Sequence, residues 1–298
     1  MGTADTVERC FDHGHYAATA LQKVERSLQL GPKYFLWELP RYFLHRRRLA
    51  LPLADLAALV NPLREFRRTT SAPFPPPPGY RDALEQFAAA GMRFTIPRLR
   101  LEGLVSAWWE ARETPGNVIE CGSYRGATGL FLALLGKMHG VEQRVLLLDT
   151  FSGAPAYSAY DTGRGADEFV PAGDAVNQVR QQAAVLGVED RIEIHQGLFA
   201  DTFRALTPRR LEFSFAHIDA NLYQSTKEAC AFTIPRMSGG GLVVFDDYNA
   251  VCDLGARLAI DENLAGTGTR PTPLATCSAY LRFAPACTLN GLTQPVAS

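Results

Sequence analysis

The sequence predicts an α/β fold, a parallel sheet with crossover helices preceded by a helical N-terminal region. From residue 118 onward, short β-branched or continuous apolar runs alternate with stretches of helical periodicity, the pattern of strands buried on both faces and joined by helices. Upstream, Leu21, Val24 and Leu28 and then Leu53, Leu56, Leu59 and Val60 recur at helical spacing.

The elements follow in order. Consecutive prolines in Ala72-Pro73-Phe74-Pro75-Pro76-Pro77-Pro78-Gly79 forbid helix and favour a stiff extended segment. They divide the chain into a helical accessory region (1–72), a Pro-rich linker with a connecting helix (73–94) and the α/β domain (95–298). Leu101, Leu104, Val105 and Trp108 form a helical stripe that Pro115-Gly116 ends. Strands are then expected at 118–121, 144–149, 191–195, 213–219 and 241–246, and helices at about 126–139, 174–187, 224–236 and 253–265. Residues 275–283, with Thr, Tyr and Phe, suit a final strand or hairpin. In open sheets of this kind ligands bind at the carboxyl ends of the strands.

Composition narrows the function classes. With 298 residues, 47% apolar and 20% charged, the chain has the mixture of a folded globular protein. Thirty basic and thirty-one acidic side chains leave a net charge of −1, which supplies no general field for nucleic acid. The six cysteines, scattered without a paired two-residue spacing, read as reduced and mostly buried thiols of a cytoplasmic protein. The start of the chain, with Glu8, Asp12 and His13, does not read as a secretory signal, and no apolar run is long enough to span a bilayer.

The first strand runs into Glu120-Cys121-Gly122-Ser123-Tyr124-Arg125-Gly126. Glycines at 122 and 126 let a loop turn tightly and approach a ligand, and a side chain at 122 is expected to intrude on it. The spacing is neither the dinucleotide fingerprint nor a phosphate loop. Glu120 would repel a phosphate but suits a cationic or hydroxylated ligand, such as a sulfonium-bearing nucleoside; an ordinary strand-to-helix turn is the alternative. Asp149, closing the second strand, is placed either to accept ribose hydroxyls or to cap a following helix.

A third constellation is His217-Ile218-Asp219-Ala220-Asn221-Leu222-Tyr223 with Gly239-Gly240-Gly241 to Asp246-Asp247-Tyr248. Asp219 and Asp246 close neighbouring strands, and three converging carboxylates repel one another unless a cation neutralises them. No lysine or arginine adjoins them in sequence. Oxygen ligands alone suit a hard ion such as magnesium. Helix capping by Asp246 or Asp247 with a solvated Asp219 is the alternative.

From about Thr95 to Phe283 the sequence resembles the macrocin O-methyltransferases, which methylate sugar hydroxyls of natural products. The matching pieces are the 120–126 loop, Asp149-Thr150-Phe151-Ser152-Gly153, Gly197-Leu198-Phe199-Ala200-Asp201-Thr202-Phe203, and the 219–226 and 246–248 blocks. The resemblance implies a doubly wound, mostly parallel seven-stranded methyltransferase sheet with helices on both faces and an antiparallel last strand. It implies S-adenosylmethionine across Glu120, Gly122, Ser123, Tyr124 and Gly126, bordered by Asp149, Thr150, Gln196 and Gly197, and magnesium held by Asp219, Asp246 and Asp247. The family usually has a second acid two residues after the first aspartate, where this chain has Asn221, a residue that offers a carbonyl oxygen but no charge.

The expected activity is methyl transfer to a hydroxyl of a vicinal diol on a sugar or glycoside, with Asp219 as base and Tyr223 and His217 behind it. His217 shares a strand face with Asp219, as a partner or as a satisfied buried histidine. His195 and Gln196 are placed to border the adenine. Residues 154–171 are long enough for a lid. Residues 33–48 interleave aromatic and basic side chains, which fits packing or homo-oligomer formation before a membrane surface. A nucleotide-dependent sugar-modifying oxidoreductase and a non-catalytic binding protein are the rival readings.

Overall fold

The computed structural model describes residues 10–11, 73–161, 169–250 and 253–284. The helices expected in 1–72 and the aromatic-basic segment 33–48 lie outside them. Among the described residues, seven strands form one sheet in the order β3-β2-β1-β4-β5-β7-β6. They are β1 (Asn117–Cys121), β2 (Val145–Asp149), β3 (Ile192–Gln196), β4 (Phe213–Ile218), β5 (Met237–Phe245), β6 (Thr272–Pro273) and β7 (Ala279–Arg282). The first five pair in parallel, and β7 runs antiparallel to both β5 and β6, so the predicted final strand is the second arm of a hairpin.

Seven α-helices cover the described sheet: α1 (Tyr80–Ala89), α2 (Arg98–Ala111), α3 (Ala127–Met138), α4 (Ala175–Leu186), α5 (Phe199–Leu206), α6 (Tyr223–Thr233) and α7 (Leu254–Asn263). Alternation along the strands divides the core in two. Val118, Leu147, Phe215 and Val244 face a cluster that includes residues of α1 to α4, while Ile119, Leu146, Leu148, Ala216, Val243 and Phe245 face one that includes residues of α5 to α7. This two-sided burial is why the strands read as continuous apolar runs.

The helix α1, expected only as a connection, is part of this core. Phe87 stacks on Phe94 with centroids 4.6 Å apart, and both meet Phe131 of α3 edge-on at 5.3 and 5.2 Å. Offset and edge-on ring pairs add to burial, so α1 and the segment after it are fixed on α3. Cys10 and Phe11 join the same cluster, through Phe94 N–H donating to the Cys10 carbonyl at 2.6 Å and a bridge between Phe11 and Phe94.

Helix α5 and the first residues of β5 escaped the sequence reading. Helix α5 carries Phe199, Phe203 and Leu206 at helical spacing, a signal that its eight-residue length and the lack of a side-chain cap obscured. Strand β5 starts at Met237, four residues before the expected 241, and includes three glycines. A Cβ at Gly241 would lie 2.8 Å from the Ser214 carbonyl oxygen, so the strands approach too closely there for a side chain.

Candidate active site

The site forms where β1, β4 and β5 end side by side, with Cys121 opposite Ile218 and Ile218 opposite Phe245. Sheet register therefore brings together Gly122, Asp219 and Asp246, each the first residue after its strand. Gly122 N–H donates to the Leu148 carbonyl at 2.8 Å and Asp219 N–H to the Cys121 carbonyl at 2.9 Å, which extends the pairing one residue into the loops.

Gly122 adopts φ 96°, and a Cβ there would lie 1.9 Å from the Asp219 carbonyl oxygen. The expectation that a side chain at 122 would chiefly intrude on a ligand needs correcting: it would strike the β4 loop first. Beside it the loop bends through Tyr124 at φ 50°, and Asp149 fastens that bend by accepting from Tyr124 N–H at 2.8 Å and Phe151 N–H at 2.7 Å. Asp149 thus ties the first loop to the second; α4 takes its cap from Asp174. Burial raises the Asp149 carboxyl above its usual value against these hydrogen bonds. Gln196 donates to the Thr150 carbonyl at 3.4 Å, and Gly197 N–H donates to the Asp149 carbonyl at 2.9 Å, so both hold the end of β2.

A cavity of about 190 Å³ opens under the first loop. Glu120, Gly122, Ser123 and Tyr124 line it with Asp219, and Gly91, Met92, Arg93, Thr95 and Ile96 form another part of the wall. Gly126, Asp149, Thr150, Gln196 and Gly197 lie outside that lining. His195 sits with Nε2 3.4 Å from Glu193 on the same strand.

Below the cavity runs a chain of buried charges. Glu120 Oε1 is 3.0 Å from His217 Nδ1, and His217 Nε2 is 3.8 Å from Asp246 Oδ1. Arg100 of α2 completes the chain, donating to Asp246 Oδ2 at 2.5 Å. His217 is 1% exposed and sits between two carboxylates. Although burial disfavours its charge, Asp246 and Glu120 push the imidazole up to about 10. Arg100 and His217 hold Asp246 at about 2 in spite of burial. The absence of a basic residue near the acids in sequence is therefore made good from a helix 146 residues earlier.

The acids expected to hold a cation do come together. One oxygen from each of Asp219, Asp246 and Asp247 lies within 4.8 Å of the others. Burial and the two neighbouring carboxylates raise the Asp219 carboxyl well above its usual value, the repulsion that a cation would reverse. The carboxylates outnumber the two cations that face them, Arg100 and His217, and an all-oxygen trio so placed fits a hard divalent ion. On the donor side, Glu120 Oε2 is buried without a hydrogen-bond partner among the described residues, and Glu120 lines the cavity together with Asp219.

Asn221 sits at φ 57°, with its amide 3.4 Å from Asp219 Oδ1. Asparagine tolerates this left-handed conformation better than most residues. The Tyr223 hydroxyl donates to Glu262 at 2.7 Å, and its N–H to Asp161 at 2.6 Å. Burial, then Glu262 against the pull of Lys227, keeps its phenol above the ordinary value, so it acts as a donor. Of the expected lid, residues 162–168 lie outside the described ones; Asp161 is anchored to α6, and Tyr160 packs on Tyr223 with centroids 4.5 Å apart.

Cys10, Cys121, Cys230 and Cys277 are buried thiols outside any disulfide, and no described helix is long and apolar enough to cross a membrane.

Comparison with known proteins bears on the family and the fold. The 8-demethyl-8-(2,3-dimethoxy-alpha-L-rhamnosyl)-tetracenomycin-C 4'-O-methyltransferase of Streptomyces olivaceus is 30% identical over 170 residues, 52% of this chain and 64% of that one. The mycinamicin III 3''-O-methyltransferase of Micromonospora griseorubida is 28% identical over 157 residues, 50% and 60% of the two chains. The chain thus spans less than two thirds of each relative's length. Among solved structures, the calicheamicin methyltransferase CalS11 superposes with a TM-score of 0.56 at 21% identity, covering 78% of this chain and 93% of that one. The O-methyltransferase NovP gives 0.55 at 22%, covering 62% and 79%. Both show the same fold. The family model for macrocin-O-methyltransferase (TylF) matches residues 91–265, more than half of the sequence, and the chain belongs to that family.

Proposed function

We propose that this chain transfers a methyl group from S-adenosylmethionine to a sugar hydroxyl of a natural-product glycoside, with a divalent cation at Asp219, Asp246 and Asp247. One observation carries the reading: Asp219 both lines the cavity under the Gly122 loop and belongs to the acidic trio, so donor and cation sites share a wall. Family membership and the glycoside substrates named for the two relatives support the same acceptor class.

In the reaction, a bond forms between the acceptor oxygen and the methyl carbon while the carbon–sulfur bond breaks and the sulfonium becomes a neutral thioether. Alignment of these three atoms supplies much of the acceleration. A bound divalent cation supplies Lewis acidity that lowers the pKa of a hydroxyl held on it. Asp219 accepts the hydroxyl proton. Glu120 would offer its carboxylate to the cationic donor, His217 bridges Glu120 and Asp246 and helps keep Asp246 ionised, and Tyr223 holds the start of α6 behind Asp219. Asp149 fixes the loop against which the nucleoside lies and has lone pairs left for its ribose.

The remaining features of the reading are a cytoplasmic homo-oligomer and an accessory role for residues 1–72, with 73–94 leading into the methyltransferase domain at 95–298. The test is turnover of a glycoside panel with S-adenosylmethionine, first in excess chelator and then with magnesium restored. Activity that disappears with chelator and returns with magnesium is the expected result. Full activity in chelator would make the acids structural, and no methyl transfer to any glycoside or sugar nucleotide would remove the acceptor class.

A further inference from the structure

Arg100 lies in the first turn of α2, away from the strand ends in sequence, yet each of its three guanidinium nitrogens is spent at one place. Nη1 donates to Asp246 Oδ2 at 2.5 Å, Nη2 to Cys277 Sγ at 2.5 Å and Nε to Thr276 Oγ1 at 3.1 Å. Its side chain is 14% exposed and that of Asp246 is 3% exposed. The main chain of Asp246 is already held, with its N–H donating to the Ile218 carbonyl at 3.0 Å and its carbonyl accepting from Cys277 at 3.5 Å. The remaining freedom of Asp246 is rotation of its carboxylate, and Arg100 removes it. A planar, three-way guanidinium can do this where a point charge cannot.

We propose that Arg100 is a positioning residue that locks one oxygen of Asp246 so that the carboxylate stays in register with Asp219 and Asp247 for cation binding. The proposal rests on the cation-site reading above. It makes a choice between two opposed consequences of removing the arginine. As a mere counter-charge, Arg100 competes with the cation, and its loss would tighten binding. As a positioning residue it prepares the site, and its loss weakens binding, as removal of a partner behind a metal ligand commonly does by about ten- to a hundredfold.

The experiment titrates the full chain with manganese(II), read by the electron paramagnetic resonance of the free ion, for the parent, Arg100→Met and Arg100→Lys. S-adenosylhomocysteine affinity by calorimetry serves as the control for an intact donor pocket. We expect Arg100→Met to bind manganese at least about tenfold more weakly with unchanged S-adenosylhomocysteine affinity. Arg100→Lys keeps the charge, loses the fork and is expected to be weakened as well. Manganese affinity equal to or tighter than the parent's in Arg100→Met overturns the proposal. Should that variant fail to fold, parent-like affinity in folded Arg100→Lys overturns it and weakened affinity supports it. A parent that binds no manganese removes the cation site itself and the proposal with it, whereas a parent that binds beside unaffected variants removes the role of Arg100 alone.

Discussion

At the inner strand ends, the Arg100, His217, Glu120 and Asp246 side chains are 14, 1, 2 and 3% exposed. On the outer strand β3, Arg144, Arg209 and His195 surround Glu193 at 58, 41, 23 and 19%. Both clusters combine arginine, histidine and carboxylate at hydrogen-bonding distances. Only the inner one is cut off from water, so each of its charges depends on the others and none can be removed without stranding a partner. In the outer one, water replaces whatever is lost. The inner cluster can tune chemistry, while the outer one contributes modestly to stability.

The strongest test of this contrast is Asp246. Asp246→Ala leaves Arg100 and His217 buried without their shared carboxylate, which is expected to destabilise the fold by about 3–5 kcal/mol. Asp246→Asn keeps the shape, so it isolates the chemistry: turnover is expected to fall roughly a hundredfold or more, with little change in S-adenosylhomocysteine affinity. Denaturant unfolding and initial rates measure the two effects. If Asp246→Ala unfolds at the parent's midpoint, the inner cluster is no more interdependent than the outer.

Gly122 sharpens the comparison at the backbone level. At φ 96°, with 1.9 Å to the Asp219 carbonyl for any Cβ, Gly122→Ala must push β1 and β4 apart at their ends. The expected cost is about 1–3 kcal/mol of stability, together with a lower affinity for both S-adenosylhomocysteine and manganese, because the displaced residue is Asp219. Loss of the nucleoside alone, with manganese binding intact, would mean that the loop yields without moving Asp219.

How far the sequence predicted this follows from the same geometry. The strand ends, the glycine loop and the acidic trio were legible because each is a local pattern: an apolar run, then the residue that leaves it. Asp149 was placed correctly at the end of β2, but its grip on Tyr124 N–H depends on a neighbouring strand and has no local sign. Arg100 was illegible for the same reason, since nothing around it in α2 marks the one arginine that turns inward. The start of β5 at Met237 was missed because its pairing with Phe213 of β4 is a property of the sheet, not of the segment. The sequence thus placed the acids that carry the charge and His217 between them, but not the arginine that shares in offsetting it.

The outer cluster offers the smallest effect and the cleanest sign. Glu193 accepts from Arg209 at 2.6 and 3.1 Å and from Arg144 at 3.2 Å. Arg209 chiefly, against burial and with help from Arg144 and His195, lowers its carboxyl from 4.5 to about 2. A carboxylate whose folded pKa is depressed adds stability above its unfolded value and loses it as pH falls through the folded one. The contribution is therefore complete above about pH 5 and fades as pH falls from 4.5 towards 2. With partners this exposed, it is expected to be no more than about 1 kcal/mol. Glu193→Gln should therefore unfold slightly below the parent at pH 7, with the gap closing on acidification and in molar salt. Denaturant midpoints at several pH values give the answer. A gap of several kcal/mol, or one indifferent to salt, would place β3 with the inner cluster and remove burial as the reason the two differ.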